Sequence, residues 1–184
     1  MISKCRSLTV GLFATLLGVA SAADEAPQTI HAGELAFKAP AAWKSEKPIN
    51  AMRKAQIKVA PAPGDSEPAE LAVTAFPGGA GSVEANVKRW EGQFIDADKN
   101  TPKAKVEARK GINTDVTRVE VAGRYAAMTP GQPGKNDKPN YRLLGAIVVT
   151  KDTGYFFKLT GPDKTVLAAS KGFDALIESM TIEK

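Results

Sequence analysis

The sequence predicts an α+β domain: an antiparallel sheet of about six to seven strands with two main helices packed on it. Three observations carry this. Short alternating or apolar runs recur between Gly, Pro, Asn and Asp clusters, as strands do. Helical spacing of apolar residues occurs in two places, 83–95 and 163–180. Asp152-Thr153-Gly154 joins two apolar runs as a hairpin turn would.

The elements follow in order. Residues 23–33 are small and polar and read as a flexible leader. Glu34 to Ala39 alternates, with Leu35 and Phe37 on one side and Ala36 and Lys38 on the other, and Pro40 ends it before a turn at Trp43. Met52 to Val59 is a second strand with Ile57 and Val59 on one face. Leu71 to Phe76 is a third, apolar enough to suggest burial on both faces. Ser82 is a good N-cap for a helix carrying Val83, Val87, Trp90 and Phe94 on one face and ending near Ile95, with Glu84 where the helix dipole favours an acid.

Lys105 to Arg109 and Thr114 to Ala122 pair across Gly111-Ile112-Asn113. Ala127 to Asn140, with three prolines and two glycines, is a loop. Tyr141 to Thr150 and Tyr155 to Thr160 form the hairpin. A last helix opens at Gly161-Pro162-Asp163 and buries Val166, Phe173 and Met180. The order is three strands, a helix, four strands, a helix, in one domain over 34–184.

The N-terminus predicts destination. Lys4 and Arg6 precede about thirteen uncharged residues, Leu8 to Ala20, and Ala20-Ser21-Ala22 supplies the small residues a signal peptidase reads. Residues 1–22 are thus expected to be a cleaved signal peptide. The run is shorter than the roughly twenty residues a membrane span needs, so no stable membrane anchor is expected. Cys5 lies before the run rather than at a lipid-attachment point. The expected location is secreted or periplasmic.

Cleavage leaves 23 basic and 20 acidic side chains, a net charge of +3. The densest basic stretch, Lys99, Lys103, Lys105, Arg109 and Lys110, is diluted by Glu107. It reads as a solvated turn and strand face, or as a surface for an acidic partner. Nucleic-acid binding is not expected. The mature chain has no cysteine, which excludes thiol nucleophiles and thiolate metal sites.

Chemistry has few footholds. The one histidine, His31, sits in the leader, where a Ser-His-acid triad could not hold it. Asp96-Ala97-Asp98 lacks the calcium-loop spacing and reads as a helix C-terminus. No catalytic, cofactor-binding or metal-binding residue and no cofactor is predicted. Gly78, Gly79, Gly81 and Ser82 form either a tight strand-to-helix turn needing positive φ or an anion-binding turn. They lack the Gly-Lys-Ser/Thr ending of a phosphate loop. Arg124, Lys135, Lys138 and Arg142 around the proline-rich loop, with Trp43, form the candidate binding surface. Trp90 reads as core.

Ala36-Phe37-Lys38-Ala39-Pro40-Ala41-Ala42-Trp43, the order of elements over 34–182, and Gly154-Tyr155-Phe156-Phe157-Lys158-Leu159-Thr160-Gly161 followed by a helix resemble the PsbP/DcrB-like family. That resemblance implies an exported or lumenal α/β/α sandwich around an antiparallel sheet, and no catalytic signature. The expected function is an exported non-enzymatic binding or interaction module of the bacterial cell envelope, its partner an unknown protein or envelope component. The alternative is a small-anion-binding protein or enzyme using the 78–82 turn and nearby basic side chains.

Overall fold

The computed structural model describes residues 26–110, 115–127 and 137–183. The expected signal peptide, the turn at 111–113 and Lys135 lie outside these residues. The elements are β1 (Gln28–Ala32), β2 (Leu35–Ala39), β3 (Lys44–Glu46), β4 (Arg53–Val59), β5 (Ala69–Pro77), α1 (Val83–Glu91), β6 (Phe94–Ile95), β7 (Lys105–Lys110), β8 (Asp115–Tyr125), β9 (Lys138–Val149), β10 (Thr153–Pro162), α2 (Asp163–Ala168), α3 (Ser170–Glu178) and β11 (Thr181–Ile182).

The architecture is α+β with antiparallel pairing, and the sheet is larger than expected. Eight strands form one sheet in the order β3-β4-β5-β10-β9-β8-β6, with β7 also on β8. A second sheet, β1-β2-β11, lies apart. β2 had been expected in the main sheet. Leu35, Ala36, Phe37 and Ala39 are all buried, and Phe37 meets Phe157 edge-on with ring centroids 5.3 Å apart. β2 is thus a covering layer.

Part of the expected leader is ordered. Gln28–Ala32 pairs antiparallel with β2, closed by Gly33 at φ 71°. Gln28 donates its amide to the carbonyls of Pro40 and Trp43. His31 therefore sits on a strand, 2.9 Å from Glu183. The other expectations shift at their ends. Gly92 caps α1 early, and Phe94 leaves the helix to pair with Tyr125 while its ring stays buried. The last helix is divided at Ala169 into α2 and α3. β9 starts at Lys138, so residues 138–140 are strand rather than loop. In β5 burial alternates: Leu71 and Val73 are fully buried, while Glu70, Ala72 and Thr74 are half-buried. That second face mixes Glu70 and Thr74 with Ala72 and Phe76, and Phe76 meets Phe156 edge-on at 5.6 Å.

The main sheet separates two cores. The larger holds Ile57, Leu71, Phe157, Leu159, Phe173 and Leu176 under α2, α3 and β2. The smaller holds Val87, Trp90, Phe94, Val119, Leu143 and Phe156 under α1. At about 25 cal/mol per Å² of apolar area removed from water, each such side chain contributes roughly 1.5–3 kcal/mol. Among the described residues, no helix is long and apolar enough to cross a membrane.

Candidate functional site

α1 lies over β8 and, through Trp90, over β9. Its spacing of Val83, Val87 and Trp90 turns one stripe inward. Trp90 fills the centre, and Val83 and Val87 lie to the β7 side. Between them and Val106 and Ala108 of β7 runs an apolar groove of about 360 Å³, floored by Thr117. Val106 is 48% exposed.

Glu91 fixes the groove's width. It is buried, accepts the Ala104 N–H at 2.8 Å, and lies 3.9 Å from Lys103. The last turn of α1 is thereby tied to the start of β7. Glu84 is held at the other end: hydrogen bonds from its own backbone and from Ser82 keep its carboxyl below the usual carboxylate range. The rim charges left extended are Lys88, exposed on α1, and Lys103.

A polar cluster, which sequence reasoning missed, lies on the same face beyond Trp90. The Lys158 amine donates to Gln93 Oε1 and to the Tyr125 hydroxyl at 3.3 Å, 5.3 Å from the Tyr125 ring centre. These partners are neutral. Burial, and then the nearby Arg53, push the amine down to about 8, with Glu70 acting the other way. Glu70 itself is spent on Arg53 at 2.7 Å and Gln56 at 3.2 Å. Thr160 Oγ1, two residues along β10, is buried with no hydrogen-bond partner among the described residues. The signal was a lysine inside Tyr155-Phe156-Phe157-Lys158-Leu159.

The candidate surface residues do not converge. Arg142 faces α2, bonded to Glu120 and, at 2.8 Å, to Asp163. It belongs to an ionic ladder in which Arg118 meets Asp174 at 2.8 Å and Glu120 at 3.0 Å. Lys138 meets Glu67 at 2.6 Å, and Glu67 also accepts the Tyr141 hydroxyl at 2.6 Å. Those two bonds hold the Glu67 carboxyl low. Arg124 is exposed and pairs with Asp137 at 2.7 Å. Trp43 is corrected outright: it is 7% exposed and packs against Gly172 of α3.

The glycine turn is the tight turn. Gly78, Gly79 and Gly81 have φ of 77°, 84° and 85°. The Gly78 N–H donates to Asp152 and the Gly79 N–H to Phe76, while Ser82 Oγ caps Ala85. The Gly78 and Gly79 N–H groups are thereby engaged within the protein.

A polar hollow of about 600 Å³ opens beside Asp65, Asp96, Tyr141 and Lys164. Its acids are engaged. Asp65 caps Thr165 at 2.9 Å and Asp163 holds Arg142. Asp96 accepts the N–H groups of Asp98 and Asn100 at 3.0 and 2.8 Å. Asp96 thus closes a turn rather than ending a helix.

No family model matches the sequence, and no curated protein is significantly similar to it. Solved structures are similar in fold. The solution structure of cyanobacterial PsbP from Synechocystis sp. PCC 6803 matches with a TM-score of 0.53 at 15% identity, covering 94% of this chain and 99% of its own. A Pseudomonas aeruginosa protein of unknown function, described as a putative regulator, gives 0.47 at 13%, covering 86% and 99%. A Bacteroides thetaiotaomicron VPI-5482 protein gives 0.46 at 14%, covering 82% of this chain and 46% of its own. The eight-stranded antiparallel sheet between α1 and the α2–α3 pair is a PsbP-like fold.

Proposed function

We propose that this protein is an exported, non-enzymatic interaction module of the bacterial cell envelope, engaging its partner on the sheet face that carries α1. One observation carries the reading: in the α1–β7 groove the exposed Val106 and the half-buried Val83 flank Val87, which belongs to the core. A slot between a helix and an edge strand with apolar walls offers a seat for one apolar side chain of a partner. Export rests on the basic start, apolar run and Ala20-Ser21-Ala22 of the sequence.

The test is in the host. A photocrosslinking residue at Lys88 should capture a discrete envelope partner, and Val106→Glu in the same chain should abolish that capture. N-terminal sequencing of the envelope-fraction protein should begin at Ala23 or one residue later. An intact Met1 in the cytoplasm, or capture indifferent to Val106→Glu, overturns the reading.

A second reading is small-anion binding, moved from the glycine turn to Lys158. The favouring observation is a largely enclosed ammonium held by Gln93 and Tyr125, with Thr160 Oγ1 unpartnered beside it.

A further inference from the structure

β7 is an edge strand. Among the described residues it pairs with β8 alone. Its outer row of N–H and C=O groups has no strand partner among the described residues, and such a row is a template for another chain. The side chains of a strand laid there would alternate between the two sheet faces. One set would fall on the α1 face, directly into the groove formed by Val83, Val87, Val106 and Ala108. Strand addition beside a helix gives main-chain hydrogen bonds for affinity and a pocket for alternate side chains.

The charges select the occupant. Glu91 is buried against Ala104, Glu84 is held at the α1 N-terminus, and Glu107 is bonded to Lys105 at 2.7 Å and Arg109 at 3.3 Å. The extended ends are cationic: the Lys103 side chain is 86% exposed and that of Lys105 69%. Lys88 adds a third from α1. The basic stretch noted in the sequence thus borders the free edge.

We propose that β7 and α1 form a docking cleft for an extended segment of a partner protein. The segment adds as a strand to β7 and seats an apolar side chain between Val87 and Val106; an acidic residue at the end of that same face meets Lys88 and Lys103, and one on the opposite face meets Lys105. This rests on the interaction-module reading and gives the partner its chemistry.

The probes are fluorescein-labelled nonapeptides in which one alternate set carries a central leucine flanked by valines and ends in glutamate, the other set carries one glutamate among serines, and counterparts have lysine for glutamate. Anisotropy with the exported chain should show saturable binding of the acidic peptide, at least tenfold tighter than the lysine peptide. Hydrogen exchange of the β7 amides should slow on binding. Lys88→Glu with Lys103→Glu, both at exposed sites, should invert the preference. N-methylation of alternate peptide amides should abolish binding in one frame and spare it in the other. No saturable binding, equal loss in both frames, or a free protein already dimeric with β7 protected overturns the proposal. If the Lys88 crosslink still captures its partner while these peptides fail, the module reading stands and strand addition falls. If both fail, both fall.

Discussion

A Cβ on Gly145 would lie 2.1 Å from Cζ3 of Trp90, with two further indole atoms within 2.9 Å. The six-membered ring of the indole reaches the backbone of β9 at the one position in its row without a side chain. Phe156 meets it edge-on at 6.4 Å. Gly145→Ala must move a buried ring, and overpacking a filled core costs about 1–3 kcal/mol, occasionally more. Urea denaturation should show a loss of about 3 kcal/mol, near the ~3–5 kcal/mol expected for Trp90→Ala. Combining Gly145→Ala with Trp90→Leu should cost less than the sum, because removing the ring relieves the clash that the alanine creates. Strict additivity would place the tryptophan elsewhere.

The helix half of that contact was legible. Val83, Val87 and Trp90 recur at helical spacing and did bury one face. The strand half was not: a lone glycine in an apolar strand says that something approaches closely but not what. The hairpin of β9 and β10 was legible from its turn. β1 was not, because Gln28–Ala32 is too polar to alternate visibly and is fixed by Gln28 reaching the carbonyls beside Trp43. The groove was half legible. Val106 and Ala108 alternate as a strand face should, but only the three-dimensional path of α1 shows that the helix leaves them uncovered.

Trp43 tests the correction to the binding surface. It sits between Pro40 and α3, where a Cβ on Gly172 would come within 3.1 Å of its ring. Trp43→Ala should lower stability by about 3–5 kcal/mol, the range for truncating a buried large aromatic. Thermal melts read this directly. A change under ~1 kcal/mol would return Trp43 to the surface.

Ser82→Ala should remove the N-cap bond to Ala85 and cost about 0.5–2 kcal/mol. Inorganic phosphate should shift the melting temperature of both proteins equally, since exclusion of the salt from the surface and any binding away from the turn act on both alike, whereas binding at the turn would raise the parent more. A phosphate-dependent rise in the parent that Ser82→Ala removes would restore the anion turn.

The last prediction is the pH dependence set by Lys158. Burial and then Arg53 bring its folded value down to about 8 from 10.5. Between those values the unfolded chain holds a proton that the folded one has released, so stability rises with pH across this window. The full effect is at most about 3 kcal/mol, from 1.36 kcal/mol per unit. Burial raises Tyr125, Tyr141 and Tyr155, with Glu67 adding to the rise at Tyr141. Above about pH 10 the unfolded chain loses tyrosine protons that the folded one keeps, so the slope reverses there. Urea melts from pH 7 to 10 should therefore show the parent gaining on Lys158→Met as pH rises. At pH 7 the variant should equal or exceed the parent, because replacing an isolated enclosed charge with an apolar side chain removes a desolvation cost. Parallel curves would mean that the amine is already neutralised by an anion, and repeating the melts with added acetate would then separate that bound state from an ordinary surface lysine.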